Sequence, residues 1–164
     1  MNTAKRLREL IERPGITVAP GAYDAFSARL IEEAGFEAVY MTGFGTAASM
    51  LGYPDIGLLT MTDMVTNVKR IADAVTIPLI ADADTGYGNH LNVIRTVEEY
   101  EKAGSAAIQI EDQISPKRCG HMEGHKLVPP SEMAAKIRAA VKARKAASLP
   151  SAARPWCCSS RMEV

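Results

Sequence analysis

Acidic side chains follow the predicted strands at the positions where the strands end. Asp82 and Asp84 follow the third predicted strand, Glu111 closes the fourth, and Asp24 follows the first. The carboxyl ends of parallel strands meet at one edge of a sheet, and working groups of α/β folds lie there. These carboxylates are therefore expected to lie close together.

Asp82 and Asp84 are two residues apart, so an extended backbone would point both side chains to one side. Two carboxylates this close repel each other unless a cation lies between them. Such an oxygen-rich site suits Mg²⁺ or Mn²⁺, and Mg²⁺ typically uses one or two protein carboxylates together with water and substrate. The alternative interpretation is that both residues cap the turn and helix that follow.

A second group of reactive side chains lies in the long predicted loop at 112–130, in the sequence Lys-Arg-Cys-Gly-His at 117–121. A thiol among cationic side chains is expected to act as a thiolate or as a proton donor, and a glycine-flanked loop can close over a ligand. Two alternatives remain. In the first, Cys119 is an incidental surface thiol. In the second, Cys119 binds zinc together with His121 and His125, although a fourth ligand at suitable spacing is missing.

The elements that must position these groups alternate between helices and short apolar strands. Helices are predicted at 4–13, 25–34, 62–74, 92–103 and 130–144, and strands at 16–19, 38–42, 77–82 and 106–111. In the first helix, Leu7, Leu10 and Ile11 share one face, and residues 43–61 form a polar connection rich in glycine. Near-continuous apolar strands that alternate with amphipathic helices favour a parallel sheet.

An internal similarity indicates which parallel fold this is. The segments that begin at Glu32 and Glu101 resemble each other, and their spacing equals about two strand–helix units of a (β/α)8 TIM barrel. The alternatives are that Ala-Gly merely recurs at helix ends, or that the sheet is doubly wound. No G-x-G-x-x-G sequence follows the first strand, so the barrel is favoured.

The chain is short for such a barrel, which needs about 250 residues. Residues 1–145 are predicted to form its first four strand–helix units after an N-terminal helix. Residues 146–164 read as an irregular tail, with Trp156, Cys157 and Cys158. The abrupt change in composition indicates either a disordered tail or a shifted reading frame or early end of the gene. Four units leave two strand edges unpaired, so this fragment is expected to associate or aggregate.

Composition excludes several classes of protein. The 164 residues carry 19 Lys and Arg against 19 Asp and Glu. The chain therefore has no excess of positive charge that would favour binding to nucleic acid or to an anionic membrane. The apolar runs are far shorter than the roughly 20 residues of a transmembrane helix. Without a visible signal peptide or a disulfide framework, a cytoplasmic location is expected.

Three motifs together resemble the isocitrate lyase/phosphoenolpyruvate mutase superfamily, particularly its 2-methylisocitrate lyase-like and 2,3-dimethylmalate lyase-like members. They are Asp-Ala-Asp-Thr-Gly-Tyr-Gly at 82–88, Ile-Glu-Asp-Gln at 110–113 and Lys-Arg-Cys-Gly-His at 117–121. The resemblance extends over about residues 5–145. It implies a (β/α)8 barrel, dependence on Mg²⁺, small 2-oxo or 2-hydroxy carboxylate substrates, and a homotetramer for full-length members.

The resemblance also implies a role for each matching residue. The metal would be held directly by Asp82, with Asp84 and Glu111 supporting it mostly through water. The substrate would be bound by Tyr40, Thr42, Gly43, Phe44, Asp55 and Gly120. The catalytic thiol would be Cys119, assisted by Lys117 and His121.

The implied reaction is retro-aldol cleavage of a C4–C7 di- or tricarboxylate to a 2-oxo acid and a second carboxylate. Phosphonomutases and oxaloacetate hydrolases of the superfamily share the metal site and are alternatives, although the cysteine at 119 favours the lyases. Members of the superfamily continue into a fifth strand with a substrate-binding arginine and end in a helix exchanged between subunits. This sequence matches neither, so the remaining alternative is an inactive fragment, and little or no activity is expected of this polypeptide.

Overall fold

The computed structural model describes residues 2–144, and the tail predicted at 146–164 lies outside them. Helices and strands alternate along the chain, with one additional helix between the second and third strands. Their bounds are α1 (Thr3–Glu12), β1 (Gly21–Ala22), α2 (Ala25–Glu33), β2 (Val39–Met41), α3 (Gly43–Leu51), α4 (Met61–Ala74), β3 (Leu79–Asp82), α5 (His90–Ala103), β4 (Ala107–Gln109) and α6 (Pro130–Ala143).

The four strands form one parallel sheet in the order β1-β2-β3-β4. A doubly wound sheet reverses its strand order at a switch point, and the described strands show no such reversal. Among the helices, α2 packs on α4, α4 on α5, and α5 on α6, so the helices form a layer that follows chain order. This is the arrangement of consecutive strand–helix units in a barrel.

The main core lies between the sheet and this helical layer. Val39 and Met41 of β2 are fully buried there, and so are Val68 and Ile71 of α4. Successive side chains of a strand point to opposite faces, so Tyr40, between these two residues, lies on the other face of the sheet. Because the hydrophobic face of β2 packs on the helical layer, the opposite face, which carries Tyr40, is the one left for a site.

The long helices begin where the sequence supplies capping residues. Thr60 caps α4 in a reciprocal pair with Asp63, and Asn89 caps α5 in a reciprocal pair with Asn92. Gly104 ends α5 in a left-handed conformation, with a φ of 100°. These local signals explain why both helices lie close to their predicted bounds.

Helix α1 packs near the amino-terminal ends of the strands and buries Leu7 and Leu10 against Ala38 and Ala106. The prediction that Ile11 shares this buried face is wrong, since 59% of its surface is exposed. None of the helices from residue 2 to residue 144 is long and apolar enough to span a membrane.

Two predictions about elements are wrong. The first strand is Gly21–Ala22 and not 16–19, because pairing with β2 starts where the Tyr40 amide donates to the Pro20 carbonyl, and Ile16 is 88% exposed. The connection at 43–61 contains α3, which Thr42 caps and Gly52 ends. Its glycines lower helix propensity and hide it from a reading of periodicity.

Candidate active site

Four carboxyl groups and one ammonium group gather beyond the carboxyl ends of the strands. Lys117 Nζ lies 2.8 Å from Asp55 Oδ1 and 3.4 Å from Asp84 Oδ2. Asp82 and Glu111 are close enough for their charges to act on Lys117 and on each other. The sequence expectation that residues from separate strand ends meet is confirmed for Asp82, Asp84 and Glu111.

Asp82 is the last residue of β3, and its carboxylate is fixed by two backbone amides. Its Oδ2 accepts a hydrogen bond from the Gly43 amide at 3.1 Å, and its Oδ1 accepts one from the Asp84 amide at 2.8 Å. A Cβ atom at Gly43 would collide with the carboxylate, so only glycine permits this approach. Burial raises the pKa of Asp82 above its usual range.

Asp84 does not continue the strand. Its φ is 53°, in the left-handed region, so the expectation that an extended backbone aligns Asp82 with Asp84 is wrong. The chain turns because the Thr85 amide donates to Asp84 Oδ1 at 2.7 Å, while the Glu111 amide donates to the Asp84 carbonyl at 2.8 Å. This turn, rather than strand geometry, directs the carboxylate of Asp84 towards Lys117.

Glu111 lies two residues beyond β4 and is partly buried. Desolvation raises its pKa to about 7, and the charges of Asp82 and Asp84 act in the same direction against the opposing charge of Lys117. Gln113 Nε2 donates to Glu111 Oε2 at 2.9 Å. A carboxyl group with such a pKa gains or loses a proton near neutral pH, and a bound cation would favour its ionised form.

The four carboxyl groups of Asp55, Asp82, Asp84 and Glu111 form an acidic cluster, and the ammonium group of Lys117 lies among them. Burial alone would lower its pKa, but the carboxylates of Asp84, Asp55 and Asp82 outweigh burial and raise it. The side chain is only 3% exposed, and its ammonium group is paired with carboxylates, with no contact to the thiol of Cys119 among its hydrogen bonds and ion pairs. Its predicted catalytic role stays a prediction.

Cys119 is 7% exposed, and its Sγ lies 3.6 Å from Nδ1 of His121. His125 Nε2 lies 3.0 Å from the Cys119 carbonyl oxygen, so that ring contacts the backbone. Gln113 anchors the loop to the segment that follows β4. Its Nε2 donates to the Arg118 carbonyl at 2.9 Å, and its Oε1 accepts a hydrogen bond from the Arg118 amide at 3.0 Å. The loop thus presents a thiol beside an imidazole.

Within residues 2–144, no group of three or more His, Cys, Asp or Glu residues is arranged as a metal cage. The geometry of the loop does not favour the zinc alternative with Cys119, His121 and His125, because the His125 ring nitrogen lies against the Cys119 carbonyl oxygen. The acidic cluster still fits a magnesium ion, because its donors are carboxylate oxygens and Mg²⁺ keeps several waters around one or two protein ligands.

The predicted substrate-binding residues lie in three places, which are β2 and the residues after it (Tyr40, Thr42, Gly43 and Phe44), the ion pair with Lys117 (Asp55) and the loop (Gly120). Thr42, Gly43 and Phe44 follow β2 directly, where Thr42 caps α3 and the half-exposed Phe44 ring lies 6.5 Å from the ring of His121. Gly120 is exposed in the loop, with open space at its Cα. Asp24 does not join the cluster, because its carboxylate caps α2 and accepts the Ser27 amide at 2.7 Å.

Two residues that support the site were not identified from sequence. Tyr100 is fully buried and donates a hydrogen bond to the Asp82 carbonyl at 3.0 Å, and its hydroxyl lies 2.7 Å from that of Tyr87. Gln113 bridges Glu111 and the loop. Tyr100 carried no signal beyond an apolar position in α5, whereas Gln113 stands within the Ile-Glu-Asp-Gln motif.

A cavity of about 600 Å³ opens beside the cluster. Asp84 and Lys117 line it on the side of the carboxylates, and Tyr87, Gln113 and Lys136 line it elsewhere. A smaller space lies at Gly43, between Asp55 and Asp82. Two residues of the site, Asp84 and Lys117, thus face a cavity large enough for a small molecule.

The described residues form consecutive strand–helix units of the (β/α)-barrel type, with carboxylates at the strand ends and a thiol-bearing loop next to them. Residues 7–154 match the phosphoenolpyruvate phosphomutase family, and the chain belongs to this family, within the PEP mutase/isocitrate lyase superfamily. Enzymes of this superfamily depend on a metal ion.

Three similar proteins illustrate the family. A 2,3-dimethylmalate lyase from Eubacterium barkeri is 58% identical over 144 residues, which are 88% of this chain and 50% of the lyase. Oxaloacetate acetylhydrolase bound to 3,3-difluorooxalacetate matches with a TM-score of 0.83 and 49% identity over 87% of this chain and 49% of that one. Phosphonopyruvate hydrolase with oxalate and Mg²⁺ matches with a TM-score of 0.83 and 37% identity over 91% and 50%.

The chain spans about half the length of the curated relatives that it matches. The barrel prediction is confirmed, since most of this chain superposes on about half of each of these two larger structures.

Proposed function

We propose that this chain carries the metal-binding and acid–base half of a Mg²⁺-dependent carbon–carbon lyase. Its substrate is a small 2-hydroxy di- or tricarboxylate such as 2,3-dimethylmalate or 2-methylisocitrate. The observation that carries the proposal is the meeting of the acidic cluster with the loop that holds Cys119 beside His121. The identity to 2,3-dimethylmalate lyase supports the same substrate class.

In this proposal Asp82 holds the metal directly, and Asp84 and Glu111 support it through water. When bound, the metal neutralises the substrate carboxylate and stabilises the negative charge that develops on the adjacent oxygen. The Gly43 amide keeps the Asp82 carboxylate in one orientation. Lys117 offsets part of the charge of the remaining carboxylates, which reduces the repulsion of an anionic substrate.

The second role belongs to the loop. As the carbon–carbon bond breaks, the substrate hydroxyl passes its proton to a carboxylate of the acidic cluster and becomes the carbonyl of the 2-oxo acid. The electron pair of the broken bond leaves on the other fragment as a carboxylate enolate, and Cys119 Sγ donates the proton that completes this product. His121 lies 3.6 Å away and exchanges a proton with the thiol. Tyr40, Thr42, Gly43 and Phe44 bind the substrate carboxylate, and Asp55 and Gly120 contact other parts of the substrate.

A hydrolase of oxaloacetate and a phosphonomutase are the alternative activities, supported by the similarity to oxaloacetate acetylhydrolase and by the family description. The observation that favours a lyase is the partly shielded thiol of Cys119 beside an imidazole, which serves the protonation of a carbanion. The expected cytoplasmic location, the tetramer and the low activity of this polypeptide stay predictions.

The test measures pyruvate release from 2,3-dimethylmalate and from 2-methylisocitrate, coupled to NADH oxidation by lactate dehydrogenase. The assay is run with Mg²⁺ and a thiol reductant, and again with EDTA. We expect any release to require the metal and to fall by at least about 100-fold in Cys119→Ser, given what a positioned proton donor contributes. Conversion of oxaloacetate or phosphonopyruvate without lyase turnover would replace the proposal by one of the alternatives.

A folded chain that binds Mg²⁺ but turns over none of these substrates would show that this polypeptide is an inactive fragment. The exposed variant Ser131→Ala of α6 is the matched control, because it lies outside the acidic cluster and the loop. It is expected to behave as the wild type in every assay.

A further inference from the structure

The turn that follows β3 has a backbone of unusual conformation. Four of its five residues have positive φ angles, which are 53° at Asp84, 84° at Gly86, 58° at Tyr87 and 142° at Gly88. Non-glycine residues in this region cost about 1 kcal/mol or more each, and they persist only where the surroundings hold them. Contacts from the rest of the chain must therefore maintain the turn.

One such contact comes from Lys136, in the second turn of α6. Its side chain is buried, with 3% of the residue exposed, and its Nζ donates a hydrogen bond to the Thr85 carbonyl at 3.0 Å, 51 residues away. Within residues 2–144, Lys136 forms no ion pair. A buried ammonium without a counter-ion is costly, so its position in the fold calls for an explanation.

The contact lies next to Asp84, whose left-handed backbone conformation orients one of the carboxylates of the cluster. Thr85 follows Asp84, and the Glu111 amide binds the Asp84 carbonyl from the other side at 2.8 Å. Thr96 Oγ1 adds a hydrogen bond to the Gly86 carbonyl at 3.1 Å. The turn is therefore held by the segment that follows β4, by Thr96 of α5 and by Lys136 of α6.

We propose that Lys136 is a positioning residue, which fixes the left-handed Asp84 turn and thereby sets the orientation of the acidic cluster for a divalent cation. This inference rests on the proposed function only in one respect, which is that the acidic cluster binds a divalent cation. The hydrogen bond makes α6 part of the site, although none of its side chains belongs to the cluster.

Electrostatics and positioning predict opposite effects when Lys136 is replaced. If Lys136 acted only through its charge, its removal would strengthen the attraction between the carboxylates and a cation. If it positions Asp84, its removal frees the turn and weakens cation binding. Loss of a residue that orients metal ligands typically lowers metal affinity 10- to 100-fold.

The experiment compares Lys136→Met, Lys136→Arg and the exposed control Lys142→Met of the same helix. Binding of Mn²⁺ to the metal-free chain is followed by the electron paramagnetic resonance signal of the free ion. We expect Lys136→Met to weaken binding by about 10-fold or more. Lys136→Arg, which keeps a donor for the Thr85 carbonyl, is expected to restore most of it, and Lys142→Met to match the wild type.

Hydrogen exchange without any metal gives a second, independent measurement. The amides of Gly86 and Glu111 report on the turn, and the amide of Tyr40 reports on the sheet between β1 and β2. We expect Lys136→Met to accelerate exchange at Gly86 and Glu111 and to leave Tyr40 protected.

The two measurements separate failure of this inference from failure of the proposed function. Equal or tighter Mn²⁺ binding in Lys136→Met, or equal acceleration at all three amides, would overturn the positioning role. If the wild-type chain binds no Mn²⁺, the proposed metal function fails, and the exchange pattern alone decides whether Lys136 holds the turn.

Discussion

The Lys117 ammonium lies 2.8 Å from Oδ1 of Asp55, and this buried ion pair joins two loops that are 62 residues apart in the chain. The two side chains are only 3% and 12% exposed. Asp84 contacts the same nitrogen, and the charges of Asp82 and Glu111 act on it from nearby. The loop that carries the thiol is therefore anchored directly to the acidic cluster.

Replacement of Lys117 by methionine is expected to lower the free energy of unfolding by about 3–5 kcal/mol, because the loss of one partner leaves buried carboxylates without compensation. Urea unfolding at neutral pH with EDTA, followed by circular dichroism, measures the change. Lys102→Met, which breaks the exposed ion pair with Glu99, is the control and should cost less than about 1 kcal/mol.

Two further measurements test the cause of this loss. The double variant Lys117→Met/Asp55→Asn removes one carboxylate as well, so it should be more stable than Lys117→Met alone. Saturating Mg²⁺ should stabilise Lys117→Met more than the wild type, since a bound cation can compensate the same charges. Equal loss in the single and double variants would contradict the electrostatic explanation.

The ionisation of Glu111 predicts how stability depends on pH. Its pKa is about 7 in the folded chain, against an ordinary value of 4.5, so folding favours the protonated carboxyl. The stabilisation is complete below about pH 4.5 and is lost as the pH rises through about 7. The shift corresponds to at most about 3 kcal/mol, and solvent screening at this partly exposed group reduces it to about 1 kcal/mol.

Urea unfolding of the metal-free chain at several pH values between 4.5 and 8 measures this slope. Glu111→Gln should flatten it, and the exposed Glu123→Gln of the same loop should keep it. Burial also raises the pKa of Asp82, so some dependence of the same sign will remain in Glu111→Gln. If the slope is unchanged in Glu111→Gln, folding does not raise the pKa of Glu111.

The sequence is sufficient to predict the elements whose signals are local. Alternating burial and capping residues place β3, α4 and α5 near their predicted bounds, and strand ends bring Asp82 and Glu111 together. These features depend on the period of hydrophobic residues and on a general property of parallel sheets. Both can be read without knowledge of long-range contacts.

The rest of the site depends on contacts between distant residues. The left-handed turn at Asp84 breaks the extended geometry that a spacing of two residues predicts, and it is maintained in part by Lys136, 51 residues from Thr85. The pairing of Lys117 with Asp55 likewise requires the fold. Local propensity contains no information on either contact.

Tyr100 provides a test of how the end of β3 is supported. Its hydroxyl donates to the Asp82 carbonyl at 3.0 Å and lies 2.7 Å from the Tyr87 hydroxyl, so Tyr100→Phe removes two hydrogen bonds in a buried site. We expect it to lower the free energy of unfolding by about 1–3 kcal/mol. Tyr87→Phe, which removes one of the two, should cost about 1 kcal/mol in urea unfolding.

Equal costs for these two variants would show that the contact with the Asp82 carbonyl contributes nothing to stability. A larger cost for Tyr87→Phe would reverse the order of the network and would point to another partner for the Tyr87 hydroxyl.

The close approach of Gly43 to Asp82 gives the sharpest test of the proposed metal ligand. In Gly43→Ala the added Cβ would collide with the carboxylate of Asp82, so either α3 shifts or the carboxylate turns away from the Gly43 amide. Helix propensity alone predicts that alanine stabilises α3 by about 1 kcal/mol. We expect the collision to outweigh this gain and to lower the free energy of unfolding by about 1–3 kcal/mol.

The same substitution should weaken Mn²⁺ binding by about 10-fold or more, since the carboxylate loses the contact that orients it. Gly120→Ala is the matched control, because a Cβ at that position meets no atom within 4 Å. Its unfolding free energy and Mn²⁺ affinity should equal those of the wild type. If Gly43→Ala binds Mn²⁺ as tightly as the wild type, Asp82 does not need its present orientation, and the direct ligand must be sought among Asp84 and Glu111.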